Sequence, residues 1–419
     1  MPATGGHAAS SSRKSAVRYG ALGTSSLVHG GAFARPRTAV GQQCITNSSS
    51  VSCHPPAVPP FFSILDGVIS RDVPPLRLDC LADLTTPASL GAVTVREEPL
   101  STAGFSGAAH RRIVAVLPSG ETRRFVLKLC DPAREWTAMR SGDRVGREWS
   151  LLAERALDAV WEVFVSPFVA YAVEGGRSGL LMEDVGPHLF PDVREPIALG
   201  HEDDLLAALA RLHARFWRSP ALSISWLARA SSTSELIVPA VLDDAAALAL
   251  MPPPLRERLR VGWDAALSRV SARAAGVLRL PAKVFHQAWA DLPQTLVHGD
   301  VKVANFAPIP KRGVAAFDWA LVGAGPSTTD LGWYLGVNAS RLARSKEAVM
   351  TRYRELLEHE LGQALDDALW ARLEDVAVVY GARTMLWAKG AQVATGGEQA
   401  QAEWEWWAGR LEEAAERCS

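Results

Sequence analysis

The distribution of apolar and polar residues changes in character near residue 186. Before it, short apolar runs rich in β-branched residues are separated by Gly, Pro and Ser, which predicts strands joined by turns. The predicted strands span 92–97, 112–117, 124–129, 163–173 and 179–182. One stretch with apolar residues at helical spacing, 144–157, interrupts them. This part of the chain therefore predicts a small antiparallel β-sheet with one helix.

After residue 186, apolar positions recur every three or four residues, which is typical of helices that pack by one face. Within 203–218, one face carries Leu205, Leu206, Leu209, Leu212 and Phe216. Helices are also predicted over 236–250, 254–280, 346–361, 364–389 and 399–417. A non-helical region, 296–319, interrupts the helical part. The pattern predicts an α+β protein with a β-rich lobe and a larger helical lobe.

Composition places the chain among globular proteins. Of 419 residues, 48 % are hydrophobic and 21 % are charged, so a sizeable core is expected and disorder of the whole chain is excluded. The 44 Lys+Arg against 45 Asp+Glu leave no basic excess, which argues against nucleic-acid binding. The apolar stretch 156–173 contains Asp158 and Glu162, so no membrane span is expected. The five cysteines are scattered without a disulfide or metal-binding pattern, and a cytoplasmic protein is expected.

Residues 1–60 differ in composition from the rest of the chain. They contain no Asp or Glu, and Ser, Ala, Gly and Pro dominate, with a few Arg. Three interpretations fit this segment: an organelle-targeting peptide, a disordered extension, or a start codon assigned too far upstream. We therefore expect no contribution of this segment to the fold.

Residues with the chemistry of phosphoryl transfer are concentrated in the non-helical region. The segment 296–305 reads Leu-Val-His-Gly-Asp-Val-Lys-Val-Ala-Asn, and Asp318 follows 13 residues after Asn305, at the end of a predicted strand. Phosphoryl transfer from ATP needs a carboxylate to orient or deprotonate the acceptor hydroxyl, and an Asn and a second Asp to hold Mg²⁺ against the phosphates. Asp300, Asn305 and Asp318 supply these groups.

This set resembles the Brenner-type catalytic loop of the aminoglycoside phosphotransferase and choline kinase families, within the protein-kinase-like superfamily. The loop of these families reads His-Gly-Asp with an Asn five residues after the Asp. The resemblance covers about residues 85–400 and implies a two-lobed protein-kinase-like fold that uses ATP and Mg²⁺. It implies that Asp300 is the catalytic base and that Asn305 and Asp318 are Mg²⁺ ligands.

Three neighbouring residues are interpreted through the same resemblance. Lys302 lies where protein kinases place a lysine near the transferred phosphate, so it either acts on the γ-phosphate as a second catalytic residue or forms only a local salt bridge. His298 is expected to support the loop through hydrogen bonds. Asp330 matches a family Asp that buttresses the loop, and a helix cap before Leu331 is the alternative.

The β-rich lobe is expected to bind the nucleotide. Lys128 is the one cation in the apolar run 125–129, and burying an ammonium is costly without an anion nearby. It resembles the strand lysine that contacts the α- and β-phosphates and pairs with a Glu on the next helix. Glu148 fits this partner better than Glu135, which lies close to the strand end. An edge-strand lysine and a solvated glutamate are the alternatives.

Two further segments are expected to contact the nucleotide. Residues 101–108 lie between two predicted strands and contain Gly104, Ser106 and Gly107, whose small size lets backbone N–H groups approach phosphate. An ordinary hairpin turn is the alternative. The segment after the last strand resembles the hinge that binds adenine through its backbone, at Glu183 and Val185.

Two conspicuous features are not assigned to catalysis. His213 lies in the predicted helix 203–218 with its strong apolar face, and we expect it to be structural. The segment 404–407 contains three Trp that cannot all share one helix face, so at least one is expected to border solvent or a cleft. This aromatic group either lines an acceptor site or packs in the core or a dimer contact.

The sequence predicts an ATP- and Mg²⁺-dependent phosphotransferase acting on a hydroxyl of a small molecule, with a nucleotide-binding lobe over 61–186 and a helical lobe with the acceptor site over 187–419. The alternative is a nucleotide-binding pseudokinase with a regulatory or scaffold role. The presence of Lys128, Asp300 and Asp318 favours activity. From residue 187 onward, 28 Asp+Glu face 25 Lys+Arg, a surplus too small to predict a polycation-binding cleft, so the acceptor stays open.

Overall fold

The computed structural model describes residues 74–100, 107–191 and 193–417. Within these residues, the N-terminal part forms one six-stranded sheet from β1 (Leu76–Leu78), β2 (Thr94–Pro99), β3 (Ala109–Val116), β4 (Thr122–Cys130), β5 (Phe168–Glu174) and β6 (Arg177–Glu183). The strand order is β1-β5-β6-β4-β3-β2. The strands β2 to β6 pair antiparallel as predicted, and the sheet is mixed only because β1, which was not predicted, runs parallel to β5. A three-residue strand is too short for its alternation to be recognised.

The sheet lobe also contains α1 (Trp136–Ser141), α2 (Arg147–Ala153) and α3 (Val160–Val163), where the sequence predicted one helix over 144–157. The predicted strand 163–173 is too long at its start, because the chain is still helical at Val163 and β5 begins at Phe168. Pro167 explains this difference, since it has no N–H to donate to a strand ladder.

The two faces of the sheet have different environments because side chains alternate along each strand. On one face, Phe125 and Leu127 pack against Leu84, which precedes β2. The opposite face carries Lys128 of β4, which lies across from His110 of β3. This second face is turned toward the helical part of the chain, where the candidate site lies.

The helical lobe follows. Its helices are α4 (Leu199–Arg215), α5 (Ala230–Thr233), α6 (Ala245–Leu250), α7 (Pro253–Leu267), α8 (Ala272–Arg279), α9 (Ala282–Ala288), α10 (Thr328–Val337), α11 (Lys346–Leu361), α12 (Asp367–Val393) and α13 (Glu398–Arg417). Its short strands are β7 (Ala228–Arg229), β8 (Thr295–Val297), β9 (Phe306–Ile309), β10 (Gly313–Ala316) and β11 (Gly323–Gly325). The central helix is α12, which packs against α7, α10 and α13. The helix predicted over 346–361 is confirmed by α11.

Two long predicted helices are each divided in the structure. The stretch 236–250 consists of a 3-10 helix, Pro239–Asp243, followed by α6, because the Asp244 side chain accepts the Ala247 N–H and starts a new helix. The stretch 254–280 separates into α7 and α8, and Ser271 caps the start of α8. Capping residues inside an apolar pattern therefore mark breaks that periodicity alone does not reveal.

The region between β8 and α10 is non-helical as predicted, apart from a single 3-10 turn. It runs from β8 through that turn, Val303–Asn305, into the β9–β10 hairpin. It also joins the lobes, since Val165 pairs with Ala315 of β10 and Phe164 packs against Trp319, with 5.7 Å between ring centroids. One hydrophobic core has members from both lobes, and it fixes residues 298–305, the predicted catalytic loop, relative to the sheet.

Three expectations for the whole chain can be compared with the structure. The two-lobed α+β architecture is confirmed. Within the described ranges, no helix combines the length and the apolar character that crossing a membrane requires. Cys80 and Cys130, the cysteines in this part of the chain, are free thiols.

Candidate active site

A buried ion-pair group joins the two lobes. Lys128 on β4 donates from Nζ to Glu148 Oε2 at 2.5 Å and to Asp318 Oδ1 at 2.7 Å. Glu148 belongs to α2 of the sheet lobe, whereas Asp318 follows β10 in the helical lobe. Lys128 and Glu148 are almost fully buried, while 32 % of the Asp318 side chain is exposed. The buried ammonium of Lys128 therefore has two carboxylate partners, and Asp318 contacts it from the other side of the cleft.

Glu135, the other candidate partner, takes a different position. It precedes α1, and its Oε1 accepts the N–H of Asp131 at 2.6 Å. The structure therefore places Glu148, and not Glu135, against Lys128.

Burial and charge act in opposite directions on the ion-pair group. Burial lowers the pKa of Lys128, but Asp318 and Glu148 outweigh it and raise that pKa well above its ordinary value. Burial also opposes ionisation of Asp318, yet Lys128 and Lys302 hold its pKa well below its usual range. At Glu148, burial dominates over Lys128 and raises the pKa. Asp318 therefore stays ionised where it faces the cleft.

The catalytic loop gathers three predicted residues. Lys302 Nζ lies 2.8 Å from Asp300 Oδ2 and 3.8 Å from Asp318 Oδ2. Asn305 Nδ2 donates to the same Asp300 Oδ2 at 3.0 Å and to the Asp300 carbonyl at 2.9 Å. Burial lowers the pKa of Lys302, but Asp300 and Asp318 outweigh it and raise that pKa. Lys302 is therefore a cation that links the carboxylates of Asp300 and Asp318.

Oxygen atoms suited to a divalent cation remain within this group. Asn305 uses its Nδ2 in the bonds to Asp300, so its amide oxygen is not occupied by them. Asp318 Oδ2 has Lys302 Nζ at 3.8 Å, which is beyond hydrogen-bond distance. Amide and carboxylate oxygens are hard ligands, and Mg²⁺ is commonly held by one or two carboxylates together with substrate phosphates. The donor set therefore fits Mg²⁺.

The start of the catalytic loop is held by a buried carboxylate. Asp330, in the first turn of α10, accepts the backbone N–H groups of His298 and Gly299, each at 2.8 Å. Its Oδ2 also lies 3.2 Å from Nε2 of the buried His213, whose Nδ1 lies 2.6 Å from the hydroxyl of Tyr353. Asp330 thus contacts the loop directly, and its helix-cap interpretation is wrong because Ser327 is the residue that precedes α10. His213 is structural, as expected.

His298 and Gly299 shape the loop in different ways. Burial lowers the pKa of His298, which keeps the ring neutral. Its Nδ1 accepts the Asp300 N–H at 3.2 Å, and its Nε2 donates to the Phe317 carbonyl at 3.2 Å. Gly299 has φ +82°, and a Cβ there would lie 2.4 Å from the Leu321 carbonyl oxygen. The Gly of His-Gly-Asp is therefore required by backbone contact.

Two residues of α10 that the sequence did not identify also contact the loop. Trp333 donates from Nε1 to Asp300 Oδ1 at 2.9 Å. Asn338, the C-cap of α10, donates to the Val301 carbonyl at 2.9 Å and accepts the Val303 N–H at 2.9 Å. An aromatic residue and an amide in an otherwise apolar helix carry no signal that points to a loop 30 or more residues earlier. Only the fold reveals these contacts.

The hinge borders a polar cavity of about 800 Å³ on the cleft face of the sheet. Arg112 of β3 contacts Asp184, the residue between Glu183 and Val185, with Nε to Oδ2 at 3.3 Å. The backbone N–H of Glu183 donates to the Pro167 carbonyl at 2.8 Å, and Val185 is buried. The charged pair, which sequence analysis missed, gives this end of the cleft a polar wall.

The predicted phosphate-binding loop lies mostly outside the described residues, as do its Gly104 and Ser106. Gly107 is described and lies next to Glu135, where an added Cβ would be 3.7 Å from Glu135 Cγ. It leads into β3 and so enters the sheet beside the strand that carries Lys128.

Two of the three C-terminal tryptophans are buried and one borders solvent, which confirms the prediction that they do not all share one helix face. Trp404 and Trp407 are buried in the core. Trp406 is partly exposed, with Lys346 Nζ 4.9 Å from its ring centroid. Because Lys346 starts α11, Trp406 lies at the contact between α11 and α13.

Comparisons with solved structures return kinases of small molecules, at low similarity. An aminoglycoside-3'-phosphotransferase of type VIII is 14 % identical with TM-score 0.37, covering 68 % of this chain and 93 % of that one. Macrolide 2'-phosphotransferase MphH from Brachybacterium faecium is 17 % identical with TM-score 0.34, covering 76 % and 91 %. A choline kinase from Cryptosporidium parvum Iowa II is 11 % identical with TM-score 0.41, covering 77 % and 91 %. The search of curated proteins returned no match.

The family comparison is more decisive. The model of the phosphotransferase enzyme family matches residues 102–376, which include β3 with its cleft face, the catalytic loop and most of the helical lobe. Lys128, Glu148, Asp300, Asn305 and Asp318 all lie inside this range. The chain belongs to the phosphotransferase enzyme family.

Proposed function

We propose that this phosphotransferase transfers the γ-phosphoryl group of ATP to a hydroxyl of a small molecule, in a Mg²⁺-dependent reaction. One observation carries the proposal: the Asp300 carboxylate and the Lys128–Asp318 pair are linked through Lys302, which lies 2.8 Å from Asp300 and 3.8 Å from Asp318. A hydroxyl-activating carboxylate is thereby held beside the cations and oxygen ligands that phosphates require.

The chain's own residues divide the work as follows. Asp300 orients the acceptor hydroxyl and accepts its proton as the oxygen attacks the γ-phosphorus. The bond between that phosphorus and the bridging β–γ oxygen breaks, which leaves ADP and the phosphorylated acceptor. Lys128 contacts the α- and β-phosphates, and Lys302 neutralises charge on the transferred group. Asn305 and Asp318 would hold Mg²⁺, which supplies Lewis-acid stabilisation of the phosphate charge when bound.

The nucleotide is proposed to lie under the sheet, with its base toward the hinge. Glu183 and Val185 would contact the base through their backbone. Gly104, Ser106 and Gly107 would cover the phosphates, and Glu148 would keep Lys128 oriented toward them.

The test is ATP consumption by the purified full chain with a panel of hydroxyl acceptors: an aminoglycoside, a macrolide, an amino sugar, choline and homoserine. We expect acceptor-dependent turnover that EDTA abolishes and that Asp300→Ala lowers by at least about 1,000-fold. Asp264→Ala, at a side chain that is 69 % exposed on α7, is the matched control and keeps full activity. Mg·ATP binding without turnover on any acceptor would instead support a pseudokinase.

The assigned roles also predict a difference between two Asp variants. Asp300→Ala leaves the affinity for Mg·ATP within a few-fold of the wild type, because Asp300 contacts the acceptor. Asp318→Ala weakens Mg·ATP binding by at least about ten-fold, because it removes a metal ligand. Isothermal titration with Mg·ATP measures both, and equal losses in the two variants would contradict the roles.

A further inference from the structure

We infer that Trp333 is a positioning residue for the catalytic carboxylate, and this inference rests on the proposed role of Asp300. The indole Nε1 of Trp333 donates to Asp300 Oδ1 at 2.9 Å. Trp333 is partly buried and packs at the edge of the main core, so its ring is held in place by the helical lobe. The Asp300 side chain is 13 % exposed.

The hydrogen bonds around Asp300 leave one direction open. An ionised carboxylate accepts about four hydrogen bonds, two at each oxygen. Oδ2 already accepts from Lys302 Nζ at 2.8 Å and from Asn305 Nδ2 at 3.0 Å. Oδ1 accepts only from Trp333 among these contacts. The remaining position on Oδ1 is therefore the one available to an acceptor hydroxyl, and the indole determines where it points.

An indole suits this role chemically. Its N–H only donates, so it cannot accept the proton that Asp300 takes up, and it occupies one of the two acceptor positions of Oδ1. Lys302 also contacts Asp300, but its ammonium binds Oδ2, on the side of the carboxylate that is near Asp318. Trp333 approaches the other oxygen, so the two residues restrain the carboxylate from both ends.

The helix that carries Trp333 is itself fixed to the loop at two other points. Asp330 binds the N–H groups of the loop start, and Asn338 binds the backbone on either side of Lys302. Asp330 and Trp333 are three residues apart on α10 and so lie on neighbouring positions of one face, and Asn338 is the C-cap of the same helix. One helix therefore positions both parts of the loop: Asp330 and Asn338 hold its backbone, and Trp333 holds the side chain of Asp300.

The test compares Trp333→Phe, which keeps an aromatic ring and removes the donor, with Trp370→Phe. Trp370 makes the same kind of bond, from its indole Nε1 to Glu374 Oε1 at 2.9 Å, within α12. With Mg·ATP and the acceptor of highest rate, or water if none is faster, we expect Trp333→Phe to lower kcat about 10- to 100-fold. The KM for ATP changes less than two-fold, and the fraction of consumed ATP that phosphorylates the acceptor falls. Trp370→Phe keeps kcat within about two-fold.

A double-mutant cycle with Asp300→Asn separates positioning from packing. If Trp333 acts through the carboxylate, Trp333→Phe has no further effect on the residual rate of Asp300→Asn. Effects that multiply in the double variant would overturn the inference. The inference would also be overturned if Asp300→Asn lost its turnover while Trp333→Phe kept kcat within two-fold of the wild type. If Asp300→Asn left the turnover rate unchanged, that result would overturn the proposed function and this inference together.

A spectroscopic readout does not depend on turnover or on the folding of the Trp333 variant. The chain has 14 Trp, and each gives one indole N–H signal in a ¹H–¹⁵N spectrum. The signal of Trp333, assigned by its nuclear Overhauser contacts to the catalytic loop, shifts in Asp300→Asn because a neutral amide oxygen is a weaker acceptor. A Trp333 signal that does not move excludes the hydrogen bond and overturns the inference.

Discussion

Two groups of lysine–carboxylate ion pairs in this protein are similar in composition but differ in charge balance and exposure. The cleft cluster consists of Lys128, Glu148, Asp318, Lys302 and Asp300. The helix cluster consists of Lys389 of α12, Lys346 of α11 and Glu403 of α13. In the helix cluster, Lys389 Nζ lies 3.0 Å from Glu403 Oε1, and Lys346 contacts Oε2 of the same carboxylate.

The two clusters differ in their ratio of cations to carboxylates and in the exposure of those carboxylates. Glu403 also accepts from the indole of Trp407 at 2.9 Å, and Lys389 donates to the Gly336 carbonyl at 2.8 Å. The helix cluster therefore ties three helices together and has two cations for one carboxylate. The cleft cluster has three carboxylates for two cations and keeps Asp318 32 % exposed. Buried charge is common to both clusters, and an unbalanced, accessible carboxylate distinguishes the one that we propose as the catalytic site.

The largest expected contrast comes from replacing the lysine of each cluster by methionine. Lys128→Met lowers kcat/KM at least about 100-fold, because the phosphate contact is lost. Lys389→Met keeps kcat/KM within about three-fold. Each variant lowers the free energy of unfolding by about 1–3 kcal/mol, because each leaves buried hydrogen-bonding groups without a partner. Turnover assays and urea unfolding of the same preparations measure both quantities, and an equal loss of activity in the two variants would erase the distinction.

A smaller effect concerns the pH dependence of stability. Burial opposes ionisation of Asp318, but Lys128 and Lys302 hold its pKa well below the ordinary value. A carboxyl whose pKa is lowered by folding stabilises the protein above its ordinary pKa of about 3.9, and this contribution is lost as the pH falls below it. Asp318→Asn therefore reduces the slope of unfolding free energy against pH below about pH 4, by at most about 1.4 kcal/mol per pH unit.

Urea unfolding between about pH 2.5 and 5, followed by tryptophan fluorescence, measures this slope. Asp264→Asn, at the exposed α7 position, is the control and keeps the wild-type slope. A slope unchanged in Asp318→Asn would mean that Lys128 and Lys302 do not stabilise the ionised carboxylate.

The smallest effect is expected at the hinge end of the cleft. The Arg112–Asp184 pair has 38 % and 13 % side-chain exposure and a long contact of 3.3 Å, so it is worth little to stability. Arg112→Leu raises the KM for ATP about two- to five-fold, because a guanidinium that can stack on the base is lost, and leaves kcat unchanged. Arg260→Leu, at a side chain that is 58 % exposed on α7 and also pairs with an acidic residue, is the control. A lower kcat in Arg112→Leu would contradict this prediction, because it would mean that Arg112 acts in the chemical step and not only in ATP binding.

Sequence reasoning succeeded where chemistry is local. Asp300 and Asn305 lie five residues apart on one loop, so their meeting needs no knowledge of the fold. An ammonium in an apolar strand requires an anion, and the family resemblance indicated that Glu148 supplies it to Lys128. The boundaries of α11 were predictable because Ser345 caps its start and Gly362 ends it.

The rest depends on long-range packing that no local pattern encodes. Trp333 and Asn338 reach the loop only because α10 lies against it, and α10 is apolar on nearly all sides, so periodicity assigns it no functional face. Arg112 and Asp184 meet across strands β3, β4 and β6, more than 70 residues apart in sequence. The position of β1 beside β5 follows from tertiary contact and not from strand propensity.

The close contact between α10 and α12 has a consequence for how the enzyme tolerates mutation. Gly332 lies between Asp330 and Trp333, and a Cβ there would come within 2.1 Å of the Ala377 carbonyl oxygen of α12. Any side chain at this position would separate the two helices and displace the residues that hold the catalytic loop. A position in the helical core, away from the proposed substrate contacts, is therefore restricted to glycine.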